Sequence, residues 1–340
     1  MPYPNDPNKS KYPEVFPGIP GKLTEVGQQE MYRVGKNYKA RYGDFVGGYT
    51  QEKVHVSTTS FTTRTTVTAL CVMAGQFPPS KPIFKDLPNW QPIPVWQNSS
   101  DFDKSYLYGG DLQLTKQVCP RLGTLVSKGL EEAGKPDQTR DRQTLYKLLQ
   151  NYTGDPKANS VLSAAALYDV CTFESWNGLQ LPAWATQPLV QYQNRRIYPD
   201  LLEPIALEFF FDLIYLNHNK NNLQYYSGPL FNYIHEQLEM NKKDSEEKYR
   251  FHATHDSTLF ALLEGMDIEV ERLIGPGDGI IFELCLKNNT TIVQVLYYHA
   301  NKQTFRKLKL PSCPAPCTLS NFIKATPGLT PQQWEERCHM

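Results

Sequence analysis

Residues 249–265 read YRFHATHDSTLFALLEG, and this stretch constrains the fold more than any other part of the chain. An apolar, strand-like run up to Ala253 is followed almost at once by a helical spacing of leucines that begins at Leu259. The pattern predicts a strand over 249–254 that turns directly into a helix ending at Gly265. Such a strand-to-helix step is typical of α/β sheets, which often carry functional side chains at the corner.

The same alternation of strands and helices occurs elsewhere, and it predicts an α/β fold with helices on both faces of a sheet. Helices are predicted over 23–42, 203–217 and 229–241, and one more is predicted to end at Gly75. Strands are predicted over 54–58, 279–286, 291–299 and 304–309.

The middle of the chain has a different character. From residue 76 to about 200 it is rich in proline and aromatic residues, and only short helices are predicted, at 138–150 and 159–170. This composition favours an inserted cap over a continuation of the sheet. We therefore expect a core domain formed by 1–85 and 201–340, with a mostly helical cap at 86–200.

Charge and hydropathy exclude two classes of partner. The 35 basic and 35 acidic side chains give a formal net charge of zero and no basic run occurs, which argues against a nucleic-acid surface. No apolar stretch reaches about 18 residues, so no membrane span is expected. No cofactor is expected either, and the sequence leaves a monomer and a homodimer equally open.

The cysteines point to an oxidising compartment. Cys313 and Cys317 flank a proline-bearing loop, but no second close pair or nearby histidine completes a zinc site, so disulfides are favoured over metal binding. Four N-glycosylation sequons, at Asn98, Asn151, Asn288 and Asn289, agree with secretion.

The corner itself pairs His255 with Asp256 at a predicted helix start. Helix N-termini carry partial positive charge and free N–H groups, so this is a suitable place to bind an anion, with the aspartate available as a proton donor. The alternative is an ordinary helix cap, because Asp256 is followed by Ser257 and Thr258.

The segment HATHDSTLFALLEGM resembles the His-Asp corner of the histidine acid phosphatases, and the resemblance extends over nearly the whole chain. The stretches LTEVGQQEMYRVGKNYKARY, WQPIPVW, LPAWAT, PSCPAPC and WEERC are also similar to segments of that family. The resemblance implies a phosphoglycerate-mutase-like mixed sheet flanked by helices. It also implies the disulfides Cys313–Cys317 and Cys119–Cys338, and leaves Cys71, Cys171 and Cys285 unassigned.

The same resemblance implies that the catalytic machinery is incomplete. The family's nucleophilic histidine belongs to an Arg-His-Gly-x-Arg-x-Pro motif expected before residue 23, where neither histidine nor arginine occurs. The family's segment Arg-Ser-Thr-Asp-x-Asp-Arg corresponds to TTSFTTR at 58–64. Arg64 matches the last arginine and Thr58 takes the place of the phosphate-binding one. We therefore expect no phosphohistidine intermediate and no effective phosphate clamp.

These changes predict a pocket suited to a cation. Without the arginines, the carboxylate of Asp256 would remain beside a largely neutral His255, and an aromatic wall could add cation–π attraction. The catalytic pair would be vestigial, and the predicted ligand-binding residues are Asp256, His255, Phe61, Ser60, Thr59 and Thr58.

The pattern resembles the acid-phosphatase-like salivary proteins of blood-feeding insects, fleas in particular. That resemblance implies a secreted, inactive protein that sequesters amines such as serotonin and noradrenaline, and also cysteinyl leukotrienes, and so counters haemostasis and inflammation. Two alternatives remain open. One is a secreted phosphatase whose first strand is missing from this sequence, and the other is a surface-recognition protein with a vestigial pocket.

Overall fold

The structure, a computed structural model, describes residues 2–18, 21–58, 63–97, 112–215, 219–241 and 245–340. Two compact units share the chain. The first, here called the helical unit, contains 1–20, 120–222 and 271–273, and the second, the sheet unit, contains 21–119, 223–270 and 274–340. Residues 1–20 and 201–222 thus belong to the helical unit, whereas the sequence-based division placed them in the core, and that division stays a prediction.

The strands of the sheet unit are β1 (Val54–Thr58), β2 (Trp96–Gln97), β3 (Tyr249–Ala253), β4 (Gly279–Lys287), β5 (Thr290–His299) and β6 (Thr304–Lys307). The helices of the whole chain are α1 (Tyr12–Val15), α2 (Glu25–Val46), α3 (Thr63–Gln76), α4 (Leu112–Val118), α5 (Pro120–Gly134), α6 (Gln143–Thr153), α7 (Val161–Trp176), α8 (Ala183–Thr186), α9 (Leu202–Tyr215), α10 (Lys220–Asn241), α11 (Asp256–Gly265), α12 (Leu319–Ala325) and α13 (Pro331–His339).

A parallel sheet with the order β2-β1-β3 positions the corner predicted from the sequence. In the register of β1 and β3, Ser57 lies opposite His252 and Thr58 opposite Ala253. Both strands therefore end at the same edge, and each leads into a helix beyond that edge, α3 and α11 respectively. The α/β class and the strand-to-helix step at residue 256 are confirmed.

The second sheet is antiparallel, with the order β4-β5-β6. Lys287 pairs with Thr290, so Asn288 and Asn289 alone form the loop between β4 and β5. Both asparagines have positive φ, 49° and 56°, as the two central residues of a type I′ hairpin turn require. Asparagine tolerates this left-handed conformation better than most residues do.

Helices α2 and α3 pack at backbone distance through a pair of glycines. A Cβ atom on Gly35 would overlap the carbonyl oxygen of Val72, and one on Gly75 would overlap that of Tyr32. This contact lets the helices cover the sheet closely and contribute to one core cluster, whose buried members include Met31, Val34, Val56, Ala69, Val72, Met73 and Tyr298.

Helix α10 begins at Lys220, nine residues before the predicted start, and continues through Pro229. A proline lacks the N–H that would bond to the carbonyl four residues earlier, here that of Tyr225. The indole N–H of Trp334 donates to this carbonyl at 2.9 Å. A contact from α13 thus replaces the bond that the proline removes, which is why the helix does not start at Pro229.

The helical unit has its own core and a buried polar cluster. Its buried apolar residues include Leu149, Ala164, Ile197, Leu202 and Ile205. Glu174 of α7 is only 1% exposed, and its carboxylate accepts hydrogen bonds from Asn8 Nδ2 and the Tyr12 hydroxyl, both at 3.0 Å. Burial and nearby Asp6 raise the pKa of Glu174. These contacts fix the segment before α2 onto α7.

Two disulfides are present, Cys119–Cys338 and Cys313–Cys317. They are the two pairings that the resemblance implies. Cys71, Cys171 and Cys285 are free thiols, and Cys171 is fully enclosed in the core of the helical unit. Because disulfides form and persist in oxidising compartments, the pairings are those of a non-cytosolic protein.

Candidate functional site

The candidate site lies beyond the carboxyl ends of β1 and β3. Thr58 ends β1 and is completely buried, and His255 and Asp256 follow β3 by two and three residues. His255 is the N-cap residue of α11, and Asp256 is its first residue. In open α/β sheets ligands bind at this edge of the strands, so the position itself favours a binding role.

His255 is held in the neutral form. Burial, and secondarily the charge of Arg64, lower its pKa to about 4. At neutral pH the imidazole therefore carries no charge, as expected from the sequence, and it can donate or accept one hydrogen bond at each nitrogen according to its tautomer.

Asp256 combines an exposed side chain with a strongly desolvated environment. Its surface is open to solvent, yet the surrounding protein raises its pKa, while the Ser257 amide and Arg64 act in the opposite direction. The Ser257 N–H donates to Asp256 Oδ1 at 2.8 Å. The carboxyl group is therefore open to a ligand, and the desolvation that raises its pKa also makes charge interactions stronger than in bulk water.

The sequence comparison matched Arg64 to the last arginine of the family segment but did not predict it as a site residue. It lies in the first turn of α3, and its Nη2 is 3.5 Å from His255 Nδ1. The expectation of a corner stripped of guanidinium groups is therefore wrong. The signal was present in the sequence, because Arg64 follows β1 as His255 follows β3, and parallel neighbouring strands end together.

The loop before α2 also reaches this group. Gly21 has φ +87°, and a Cβ atom placed on it would be 3.5 Å from Arg64 Nη1. A side chain at this position would be strained by its backbone conformation. The loop that starts at Gly21 thus lies against the guanidinium and limits the space around it.

Beneath the corner, the two strands are tied by side chains. The hydroxyl of Ser57 and Nδ1 of His252 are 2.8 Å apart, matching their opposite positions in the register. Burial lowers the pKa of His252 to about 4, with smaller contributions from His55 and Arg250. This pair is part of the support for the site, because it lies within the strands and not beyond their ends.

The remaining predicted ligand-binding residues, Thr59, Ser60 and Phe61, lie outside the described residues. The structure therefore places Thr58, His255 and Asp256 at the same edge of the sheet, and it adds Arg64 beside His255. Of the described histidines, only His255 lies beyond the carboxyl end of a strand in this sheet; the others are His55, His235, His252, His299 and His339.

Among the described residues, no group of three or more His, Cys, Asp or Glu side chains is arranged to hold a metal ion. No helix in the described segments is long and apolar enough to cross a membrane.

Comparison with known proteins gives the family. The family model of the histidine phosphatase superfamily (branch 2) matches residues 2–297 of this chain. Human lysosomal acid phosphatase is 27% identical over 345 residues, which cover 99% of this chain and 76% of that protein. Human prostatic acid phosphatase is 26% identical over 340 residues, which cover 99% of this chain and 83% of that protein. The chain belongs to branch 2 of the histidine phosphatase superfamily, the histidine acid phosphatases.

Solved structures agree on the fold. The apo form of Hafnia alvei phytase superimposes with a TM-score of 0.64 at 16% identity, covering 92% of this chain and 88% of that one. Klebsiella phytase gives a TM-score of 0.61 at 16% identity, and the match covers 99% of this chain and 93% of that one. At this level of identity the likeness establishes the fold, and the predicted fold class is confirmed.

Proposed function

We propose that this 340-residue chain is a secreted, acid-phosphatase-like protein that binds small amines at Asp256 and does not turn over phosphomonoesters. The observation that carries the proposal is the accessible, partly desolvated carboxyl group of Asp256 beside a neutral histidine. An ammonium group about 4 Å from such a carboxylate gains roughly 4 kcal/mol at an effective dielectric near 20, less the cost of desolvation.

Thr58 supports the loss of phosphatase activity. It ends β1 at the position that the resemblance assigns to a phosphate-binding arginine, and its side chain is buried and uncharged. In addition, no Arg-His-Gly sequence occurs within the 340 residues. A phosphohistidine mechanism needs a nucleophile in line with the phosphate, and the described histidines supply only His255 at this edge.

Arg64 widens the range of ligands. Its guanidinium beside His255 can pair with a carboxylate, while Asp256 can pair with an ammonium group. Cysteinyl leukotrienes carry both groups in their amino-acid portion, so the pair Arg64 and Asp256 gives that ligand class a polar anchor. Serotonin and noradrenaline use Asp256 alone. A salivary protein with these properties would lower free host mediators and so counter haemostasis and inflammation.

Calorimetric titration with serotonin and noradrenaline tests the proposal. We expect saturable binding at one site that Asp256→Asn weakens at least tenfold, equivalent to about 1.4 kcal/mol. Asp44→Asn makes the same chemical change on an exposed face of α2 and should leave affinity unchanged. Arg64→Gln should strengthen amine binding, because it removes a competing cation, and should weaken the binding of a leukotriene. Equal affinity in the wild type and Asp256→Asn would contradict the proposal.

The second candidate is a phosphomonoesterase. The family relatives named above are acid phosphatases, and the raised pKa of Asp256 suits a proton donor to a leaving group. Turnover of p-nitrophenyl phosphate near pH 5 separates the two functions. Hydrolysis at the rate of an ordinary acid phosphatase, abolished by Asp256→Asn, would establish the second candidate and refute the first.

A further inference from the structure

The β4–β5 hairpin turn carries two overlapping sequons that the proposed function does not use. Asn288-Asn289-Thr290 and Asn289-Thr290-Thr291 place both acceptor asparagines at the turn itself. Residues 286–290 are all exposed, and the two asparagines hold the left-handed conformation of a two-residue turn. Their side chains therefore stand at the tip of the hairpin and are open to solvent, where a bulky substituent can be attached without displacing buried groups.

We propose that this turn is a site of N-linked glycosylation that accepts one oligosaccharide. The proposal rests on the oxidising, non-cytosolic compartment indicated by the two disulfides, because lipid-linked oligosaccharide donors act in the secretory pathway. It is independent of what the corner at Asp256 binds.

The modification is a transfer reaction at the side-chain amide. The amide nitrogen of the asparagine attacks the anomeric carbon of an oligosaccharide carried on a lipid pyrophosphate. A carbon–nitrogen bond forms, the carbon–oxygen bond to the pyrophosphate breaks, and the amide loses one proton as the lipid pyrophosphate departs. Because the two asparagines are adjacent in a two-residue loop, we expect a glycan on one to hinder transfer to the other.

The structure distinguishes this turn from the sequon at Asn151. Asn151 lies in the last turn of α6, and the threonine of its sequon, Thr153, is 2% exposed with its hydroxyl donating to the Leu149 carbonyl at 2.6 Å. In the hairpin, by contrast, Thr290 is exposed, and its hydroxyl makes only a marginal contact of 3.5 Å with the Asn288 carbonyl. The sequon at Asn98 lies outside the described residues.

A glycan here would cover surface that is otherwise a liability. Leu286, two residues before the turn, is 75% exposed, and in the described sheet β4 is an outer strand. Exposed edge strands with apolar side chains invite pairing with other chains. A hydrophilic oligosaccharide attached at the end of β4 would keep such partners away from this edge.

The test uses chain variants secreted from insect cells and analysed by intact mass and peptide mapping after glycosidase treatment. Thr290→Ala removes the acceptor status of Asn288 alone, and Thr291→Ala removes that of Asn289 alone. We expect the wild type to carry one glycan at the turn, the Asn288→Gln/Asn289→Gln variant to lose it, and Asn151→Gln to retain it. A secreted wild type whose 288–290 peptide is entirely unmodified would overturn the proposal.

A second measurement addresses the role of the glycan. The deglycosylated protein should aggregate faster than the glycosylated one, and Leu286→Ser should reduce that difference. Equal aggregation rates with and without the glycan would refute edge protection, although the mass measurement would still establish the modification.

Discussion

The buried imidazole of His235 should make the sheet unit less stable in acid. His235 lies in α10, between the rings of Phe231 and Phe322 at centroid distances of 6.2 and 5.8 Å, and is 9% exposed. The hydroxyl of Thr326 donates to the Phe322 carbonyl at 2.7 Å, so its oxygen accepts from His235 Nε2 at 2.8 Å. Nδ1 is then the nitrogen that a second proton must occupy, in an apolar environment.

Burial lowers the pKa of His235 from 6.5 to about 4, and Glu239 only partly opposes the shift. Because the pKa of His235 is lower in the folded state, the unfolded chain binds more protons than the folded chain between about pH 4 and pH 6.5. The contribution to stability is therefore complete above pH 6.5 and is lost as the pH falls towards 4. The shift corresponds to a loss of about 2 kcal/mol at about pH 5.

His235→Gln keeps a donor for Thr326 but does not titrate. We expect the loss of unfolding free energy between about pH 7.5 and pH 5 to be smaller than in the wild type by about 2 kcal/mol. Urea titrations followed by tryptophan fluorescence, to which buried Trp334 contributes, would measure it, with exposed His339→Gln as the control. If His235→Gln and the wild type lose the same free energy over this range, the buried-imidazole explanation is wrong.

Two further comparisons of variants test the packing and the covalent links. Gly35→Ala should lower the free energy of unfolding by about 1–3 kcal/mol, because its methyl group overlaps the Val72 carbonyl. Gly43→Ala on the same helix should raise it by up to about 1 kcal/mol, because a Cβ atom there makes only an ordinary contact with Lys39 Cγ at 3.6 Å. Equal effects of the two substitutions in a thermal or urea titration would contradict the close helix contact. Cys119→Ser/Cys338→Ser removes a bond with a sequence separation of 219 and should lower stability more than Cys313→Ser/Cys317→Ser, where the separation is 4. Chain entropy gives upper estimates of about 5 and about 2 kcal/mol for the two losses. The reverse order in denaturation curves would argue against loop closure as the cause.

The sequence predicted the elements whose signals are local. The strands β1 and β3 and the start of α11 follow from short apolar runs that change period at a polar corner, and these signals need no knowledge of the rest of the chain. The hairpin at Asn288 likewise lies between two predicted strands. Where local preference and tertiary structure agree, pattern alone is sufficient.

The early start of α10 could not be read from local sequence. Pro229 is a typical first residue of a helix, so a helix beginning there is the natural prediction. The residue that permits an earlier start is Trp334, which is far away in sequence and donates to the carbonyl left unpaired by the proline. Helix α5 was also missed, because its surroundings are rich in proline and polar residues.

At the candidate site, the sequence predicted His255, Asp256 and Thr58 as ligand-binding residues, which stays a prediction, but it misjudged the charge. Arg64 contacts a residue 191 positions away, and the contact depends on two strands being adjacent and parallel. A family comparison can say which arginine is absent, but it does not say where a retained arginine points. The electrostatic character of the corner therefore depends on knowing that β1 and β3 are parallel neighbours.

The bond between Cys119 and Cys338 joins the end of the chain to a point about a third of the way along it. Everything from 120 to 337 is consequently a closed ring. A protease that cuts this ring once releases no fragment, and the nicked molecule keeps its full mass until a reductant opens the link. For a protein exposed to proteolytic fluids, a single cleavage would therefore leave both halves in one molecule.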